Sequence, residues 1–178
     1  MSVRKLVTCS VCVALAVVTN LIRIYTFPFG GSVTLFSMLF IMLPAWLYGV
    51  REGIIAGLIF GILQFIIEPY VISPLQFILD YLIAFSIMGV AGIFRNKKSG
   101  LITGYIIAVI SRWSIATLAG LEWFRAGSIA WEGWSPVPYS MAYNAIYIFA
   151  EAAVTVIVLL IPAMRKALDS VKKNVTAV

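Results

Sequence analysis

Charged residues are scarce in this chain of 178 residues, and histidine is absent. Asp, Glu, Lys and Arg make up 11% of the sequence, whereas a soluble domain usually carries about 25%. Hydrophobic residues make up 62%, and the mean hydropathy is +1.04. Because so few polar side chains are available to cover a surface in water, we expect the lipid bilayer to be the solvent of this protein.

The missing side chains also limit the chemistry. Without His there is no common general base or imidazole metal ligand, and no nucleophile–base pair or Gly-rich phosphate loop is visible, so we expect no enzyme activity, metal or cofactor. Cys9 and Cys12 form a C-x-x-C pair, but it lies in an apolar run without a second ligand pair. We interpret both as small packed residues. The net charge of +6 is not gathered in a basic, aromatic-rich patch, so no nucleic-acid partner is expected.

Long apolar runs predict an all-α integral membrane protein with one domain, since a spanning helix needs about 20 apolar residues. The first run follows Arg4 and Lys5, but it continues past a signal-peptide core and has no A-x-A site. We therefore expect it to remain as a helix. The third run is short, and we expect it to cross the membrane less completely. The six predicted transmembrane helices cover residues 3–25, 33–50, 54–67, 75–94, 101–124 and 139–164.

The basic residues predict the orientation, because Lys and Arg gather at the cytoplasmic ends of membrane helices. With both termini in the cytoplasm, only Arg23 and Arg125 lie outside, and Arg112 lies within the fifth span. The loops "TFPFGGS", "EPYVISP" and "RAGSIAWEGWSPVPYSMAYN" then share the outer face of the plasma membrane of a prokaryote. The ten basic residues expected inside are Arg4, Lys5, Arg51, Arg95, Lys97, Lys98, Arg165, Lys166, Lys172 and Lys173.

Three ionisable residues lie well inside predicted spans and are the main cases, because a charge there is costly and indicates function. Arg112 and Glu151 lie at similar depths, so a structural ion pair between them is one interpretation. Asp80 lies nearer the outer end of the fourth span and has no obvious partner at its level. We therefore interpret Asp80 as a ligand-binding carboxylate.

Aromatic residues gather around the connection between the fifth and sixth spans. A belt at the membrane interface is the alternative explanation for each of them. Asn144 adds a polar group that needs a partner, either a ligand or another helix. A carboxylate among aromatic faces suits a flat organic cation, which cation–π attraction would stabilise. The residues around this connection are Trp123, Phe124, Trp131, Trp134, Tyr139, Tyr143 and Tyr147, and Tyr70 and Tyr81 come from the fourth-helix side.

Small residues four apart allow close helix approach in lipid. Gly57 and Gly61 show this spacing in the third span, where internal packing is the expected role. Ser10 and Ala14 show it in the first span. For the first span, internal packing and a docking face for another membrane protein both remain open.

The segments "GGSVTL", "LQFILDYLIAF" and "EGWSPVPYSMAYNAIY", together with six short spans, resemble one family over nearly the whole chain. It is the thiamine-specific substrate-binding subunit (S component) of energy-coupling-factor (ECF) vitamin transporters. The resemblance implies a high-affinity thiamine site near the outer face. It also implies a transport subunit without ATPase activity, which docks on an ECF transmembrane subunit driven by two cytoplasmic ATPases. The most specific parts are "LDY" and "SPxxYSxxYN".

The resemblance also assigns residues. The acid of the fourth helix falls on Asp80, and the small docking residues of the first helix fall on Ser10 and Ala14. The connection between the fifth and sixth spans is about two residues longer than in the family, so Trp131 and Trp134 are further candidates to close on the ligand. The ligand-binding rings and amide fall on Tyr70, Tyr81, Trp123, Tyr139 and Asn144.

Two departures from the family leave the substrate open. Ala116 stands where the family often has His, and Gly30 stands where some members have Trp. They imply either an altered affinity or a related substrate, such as another vitamin or a thiamine precursor. A small stand-alone secondary transporter is a further alternative, although such proteins usually have internal repeats or broken helices, and none is evident here.

Overall fold

The structure is a computed structural model that describes residues 2–125, 127 and 132–177. Helices form most of it, and a two-stranded antiparallel sheet follows the first helix. The strands are β1 (Arg23–Thr26) and β2 (Ser32–Thr34). The helices are α1 (Val3–Leu21), α2 (Ser37–Tyr48), α3 (Val50–Ile67), α4 (Pro74–Phe94), α5 (Gly100–Arg125), α6 (Pro136–Leu160) and α7 (Pro162–Thr176).

Five described helices, namely α1, α3, α4, α5 and α6, are long and apolar enough to cross a membrane, with 18 to 26 residues each. The expected helical membrane protein is therefore confirmed. The α2 helix has only 12 residues and would be about 18 Å long. Ten of its residues are buried, because the longer helices surround it. The expectation that the third run crosses the membrane incompletely is wrong, since α3 extends over 18 residues. The short helix is α2.

A β-hairpin replaces helical structure expected at the end of the first run and the start of the second. The α1 helix ends at Leu21, and Tyr25 pairs with Val33 across the two strands. β-Branched and aromatic side chains in these segments favour strands. Phe29 and Gly30 turn the chain at φ 68° and 89°. Gly30 tolerates this left-handed backbone because it has no Cβ.

The predicted sixth span is divided in two. The α6 helix begins at Pro136, earlier than expected, and ends at Leu160. Ile161 is extended, and Pro162 starts α7, because Pro lacks the N–H that a continuing helix needs and fits the first turn of a new one. No residue of α7 is buried. The segment from 161 onward is therefore a surface helix rather than the end of a span.

The α4 helix is irregular where it carries the predicted acid. It is π-helical over Ile78–Ile83 and 3₁₀-helical over Ile87–Phe94, and π-turns occur often at functional sites. Gly61 of α3 faces this region. A Cβ on Gly61 would lie 1.8 Å from the Tyr81 carbonyl oxygen. Gly61 thus allows α3 and α4 to touch, which supports internal packing for the glycines of the third span.

Candidate ligand-binding site

A cavity of about 130 Å³ lies among the hairpin, α3, α4, α5 and α6. Its walls combine charged and aromatic side chains drawn from segments that are far apart in sequence. The structure thus brings together residues from the predicted outer loops and from the fourth, fifth and sixth runs. The lining residues include the predicted site residues Tyr70, Asp80, Tyr81, Trp123, Tyr143 and Asn144, and also Tyr147.

The other predicted site residues have different positions. Tyr139 is buried behind the wall, edge-on against Phe124 with ring centroids 4.5 Å apart. Trp134 is 45% exposed and is not among the lining residues. Trp131 lies outside the described residues. The structure therefore places Tyr139 and Trp134 in supporting or surface positions rather than in the cavity wall.

Asp80 is held in the cavity wall by a neighbour one turn earlier. The side chain of Gln76 lies close enough to that of Asp80 for a polar interaction. Gln76 is itself fully buried, and its Oε1 accepts a hydrogen bond of 2.8 Å from the backbone N–H of Ile72. Because this bond uses the amide oxygen, the amide NH₂ remains as the group that can donate to the carboxylate. Gln76, which the sequence did not single out, therefore orients Asp80.

Tyr81 fixes the segment before α4. Its hydroxyl donates to the carbonyl of Glu68 over 2.8 Å and accepts from the N–H of Tyr70 over 3.0 Å. Tyr70 in turn stacks on Trp123 of α5, with ring centroids 4.8 Å apart and planes 15° from parallel. The Nε1–H of Trp123 is buried and has no hydrogen-bond partner among the described residues. A buried donor of this kind is costly unless it is satisfied, and it lies on a cavity-lining side chain.

The hairpin covers one side of the cavity. The N–H of Gly31 donates to the Tyr143 hydroxyl over 2.9 Å, and that hydroxyl donates to the carbonyl of Pro28. Phe29 lies edge-on to Tyr143, with centroids 6.2 Å apart. A Cβ on Gly30 would lie 2.8 Å from the Tyr70 ring. The hairpin thus packs tightly onto the cavity rings, and Phe29 supplies the aromatic face that Gly30 lacks.

An ion pair joins the hairpin to α3. Arg23 of β1 pairs with Glu68 through both carboxylate oxygens. The side-chain amide of Asn20 donates to Gln64 Oε1 over 2.9 Å one turn deeper. Both contacts involve cavity-lining residues. Sequence reasoning missed Asn20, Gln64 and Glu68, and their polar character within or beside apolar runs was the signal available.

Glu151 and Arg112 do not form the ion pair that was considered from their depths. The carboxylate of Glu151 accepts hydrogen bonds from Thr34 Oγ1 at 2.6 Å, Ser37 Oγ at 3.0 Å and the Met38 N–H at 2.9 Å. It thus caps α2 from a distant helix, and a carboxylate at a helix N-terminus is favourable. Ion pairs in the described part of the chain are Lys5–Glu52 and Arg23–Glu68.

Arg112 lines the same cavity but has a different partner. Its guanidinium carbon lies 4.6 Å from the ring centroid of Phe85, within the range of a cation–π interaction. Of the acids that line the cavity, Glu68 is paired with Arg23 and Glu151 caps α2. Asp80 is the remaining acid. It is in no ion pair within the described residues, but Arg112 is near enough for its positive charge to act on the Asp80 carboxylate.

Asn144 finds its partners within α6. Its amide NH₂ donates to the carbonyl of Ser140 over 2.9 Å, and its Oδ1 accepts from the Tyr147 hydroxyl over 2.5 Å. Neither a ligand nor another helix is needed to satisfy it, contrary to the sequence-based expectation. On α5, a Cβ at Gly120 would lie 3.0 Å from the Asn144 Nδ2. The close approach of α5 and α6 therefore depends on this glycine.

The geometry defines a class of protein. A helical membrane bundle that holds the Asp80 carboxylate in an aromatic cavity beside a hairpin has the features of a binding protein for a small organic molecule. Pockets that combine ring faces with a few placed polar groups are typical of small-molecule sites.

Comparisons with known proteins identify the family. The model of the family described as "Thiamine transporter protein (Thia_YuaJ)" matches residues 6–170, and this chain belongs to that family. It is 30% identical to the "Thiamine transporter ThiT" of Bacillus subtilis (strain 168), with 87% of this chain and 88% of the relative covered. The resemblance found from the sequence is thus confirmed, and the protein is a multi-pass protein of the prokaryotic plasma membrane.

A solved structure of ThiT from Listeria monocytogenes has the same fold. The TM-score is 0.70 at 24% sequence identity, with 90% of this chain and 96% of the other chain covered. The fold described above is therefore that of a known membrane protein architecture.

Proposed function

We propose that this chain is a thiamine-binding S component that holds its substrate in the aromatic cavity. The observation that carries the proposal is the Asp80 carboxylate, oriented by Gln76 in a wall that also holds Tyr70 and Trp123. Thiamine joins a positively charged thiazolium ring to a flat aminopyrimidine. One carboxylate and several aromatic faces match both parts of such a molecule.

The residues on each side of the cavity have different roles in this proposal. Asp80 supplies the negative charge for the cation. Tyr70 and Trp123 offer aromatic faces, and the unpaired Trp123 Nε1–H offers a donor to a ring nitrogen or hydroxyl. Phe29 and Tyr143 close the hairpin side. A charge interaction inside a protein cavity is stronger than the same interaction in solution, because the effective dielectric constant there is lower.

Transport requires a partner in this proposal. Ser10 and Ala14 are exposed on the side of α1 that faces away from the bundle. Small exposed residues allow a second helix to approach closely. An ECF transmembrane subunit would dock there, and two cytoplasmic ATPases would supply the energy. The proposal includes six membrane crossings, with α2 as the short one, and both termini in the cytoplasm.

A thiamine precursor is the second candidate substrate. Ala116 is buried in the cavity wall where the family often has His, so one hydrogen-bonding group of the family site is replaced by a methyl group. Competition between thiamine and its aminopyrimidine precursor on the purified protein separates these candidates. Tighter binding of the precursor than of thiamine would support the same class of protein with the precursor as its substrate.

The transport claim is tested by uptake of labelled thiamine into cells that lack their own thiamine transporter. Cells that express this chain together with an ECF transmembrane subunit and its ATPases should accumulate thiamine. Cells that express this chain alone should not. Uptake by the chain alone would support a stand-alone secondary transporter instead.

A further inference from the structure

A second cavity, of about 90 Å³, lies where α2 ends, where α4 turns into α5, and beside α7. It shares no lining residue with the aromatic cavity. Its charge is strongly one-sided, since one acid, Asp169, stands against five cations. The lining cations are Arg95, Lys97, Lys98, Arg165 and Lys172.

The positive charge of this cavity is not matched by the protein. Nη1 of Arg95 donates to the Tyr48 carbonyl over 2.7 Å, but its Nε is buried without a hydrogen-bond partner in the described part of the chain. Lys172 donates to the Arg95 carbonyl over 2.5 Å and lies 4.3 Å over the Trp46 ring. Burial and the nearby Arg95 charge lower the pKa of Lys172, against a smaller opposing effect of Asp169.

We propose that this cavity binds the phosphate group of an anionic phospholipid from the cytoplasmic leaflet. Arginine and lysine bind phosphate through charge-assisted hydrogen bonds, and the buried Arg95 Nε–H is a donor in need of an acceptor. Basic pockets between membrane helices on the cytoplasmic side suit anionic lipid head groups. The positive-inside distribution places this end of the bundle in the cytoplasm.

The surroundings favour a lipid over free phosphate. The α7 helix has no buried residue, and it presents Met164 and Val171, which are 38% and 47% exposed, beside its basic residues. A helix with this two-sided character suits the membrane interface, while Leu168 and Val175 on the same helix pack against the bundle core. Ile161, at the start of α7, is 49% exposed. A phosphate in the cavity would therefore have apolar protein surface nearby for the acyl chains that follow it.

Two double variants test the proposal with equal loss of charge. Lys98→Gln/Lys172→Gln removes two cations from the cavity wall, whereas Lys166→Gln/Lys173→Gln removes two cations that do not line it. Each detergent-purified protein is titrated with phosphatidylglycerol or phosphatidylcholine, and bound lipid is counted by native mass spectrometry. Thermal unfolding of each variant confirms that it is folded.

The unaltered protein should retain one phosphatidylglycerol in preference to phosphatidylcholine. The cavity variant should lose about tenfold in affinity for that lipid, and the control variant should lose far less. Equal losses of affinity in both variants would show that the lipid responds only to general surface charge, which would overturn the proposal. If inorganic phosphate binds but does not displace bound phosphatidylglycerol, the assignment to a phospholipid is overturned. It is also overturned if the cavity binds phosphate but no lipid.

Discussion

Tyr70 and Trp123 are stacked, with ring centroids 4.8 Å apart and planes 15° from parallel. Tyr70 lies between α3 and α4, and Trp123 lies near the end of α5, so the pair joins two segments beside Asp80. The Tyr81 hydroxyl holds the backbone of Tyr70 in place. The rings are thus positioned before any ligand arrives, and such preorganisation reduces the entropy cost of binding.

Removal of the Asp80 charge should weaken thiamine binding. Asp80→Asn keeps the size and the polar contact with Gln76 but loses the charge that faces the thiazolium. We expect the Kd for thiamine to rise about tenfold or more, or roughly 1.4 kcal/mol, by isothermal titration calorimetry. Asp169→Asn is the matched control, because Asp169 lies in the basic cavity. An unchanged Kd for Asp80→Asn would refute the role given to this acid.

Trp123 should contribute more to binding than Trp134. Trp123→Leu removes both the stacked ring and the unpaired Nε1–H, and aromatic pairs contribute about 0.5–1.5 kcal/mol beyond their buried area. The affinity for thiamine should therefore fall by roughly tenfold. Trp134→Leu, at a position outside the cavity wall, should change it little. A larger effect at Trp134 would mean that a different ring covers the ligand.

Glu151 should stabilise the fold rather than bind the ligand directly. In Glu151→Gln the side chain places an NH₂ among donors from Thr34, Ser37 and Met38, so at least one of these hydrogen bonds is lost. We expect the free energy of unfolding in detergent to fall by about 1–3 kcal/mol. Glu132→Gln, at an exposed position, is the control. Equal stability of the two variants would show that the cap of α2 matters little.

A large residue on the exposed face of α1 should separate binding from transport. Ala14→Trp fills the space that a partner helix would approach, while Ala14 does not line the cavity. Thiamine affinity should stay unchanged, and uptake in cells with the ECF partners should be lost. Ala153→Trp, at an exposed position on α6, should keep uptake. Normal uptake by Ala14→Trp would place the docking face elsewhere.

The sequence predicts the long helices well where an apolar run is bounded by clear polar turns. The fifth run, expected at 101–124, forms α5 from Gly100 to Arg125, since "RNKKSG" precedes it. Asp80 could be found from the sequence because an acid inside an apolar run is rare. Its orientation could not, since that depends on the π-turn and on the burial of Gln76.

Elements that depend on distant partners could not be predicted. The hairpin has strands of four and three residues, which are too short to give a periodic signal. Similar depth makes an ion pair between Glu151 and Arg112 one interpretation of the sequence, but the three donors to Glu151 come from β2 and the start of α2. Tyr139 shares its helical face with Tyr143, yet Phe124 stands between it and the cavity, and spacing along one helix contains no information about the neighbouring helix.

The central claim is that the aromatic cavity with Asp80 binds thiamine. Its most direct test is a titration of the detergent-purified protein with thiamine, monitored by the quenching of tryptophan fluorescence. An unrelated vitamin serves as the control. The account predicts saturable quenching by thiamine at sub-micromolar concentration and none by the control. An absence of saturable binding to thiamine, or equal binding of the unrelated vitamin, would contradict it.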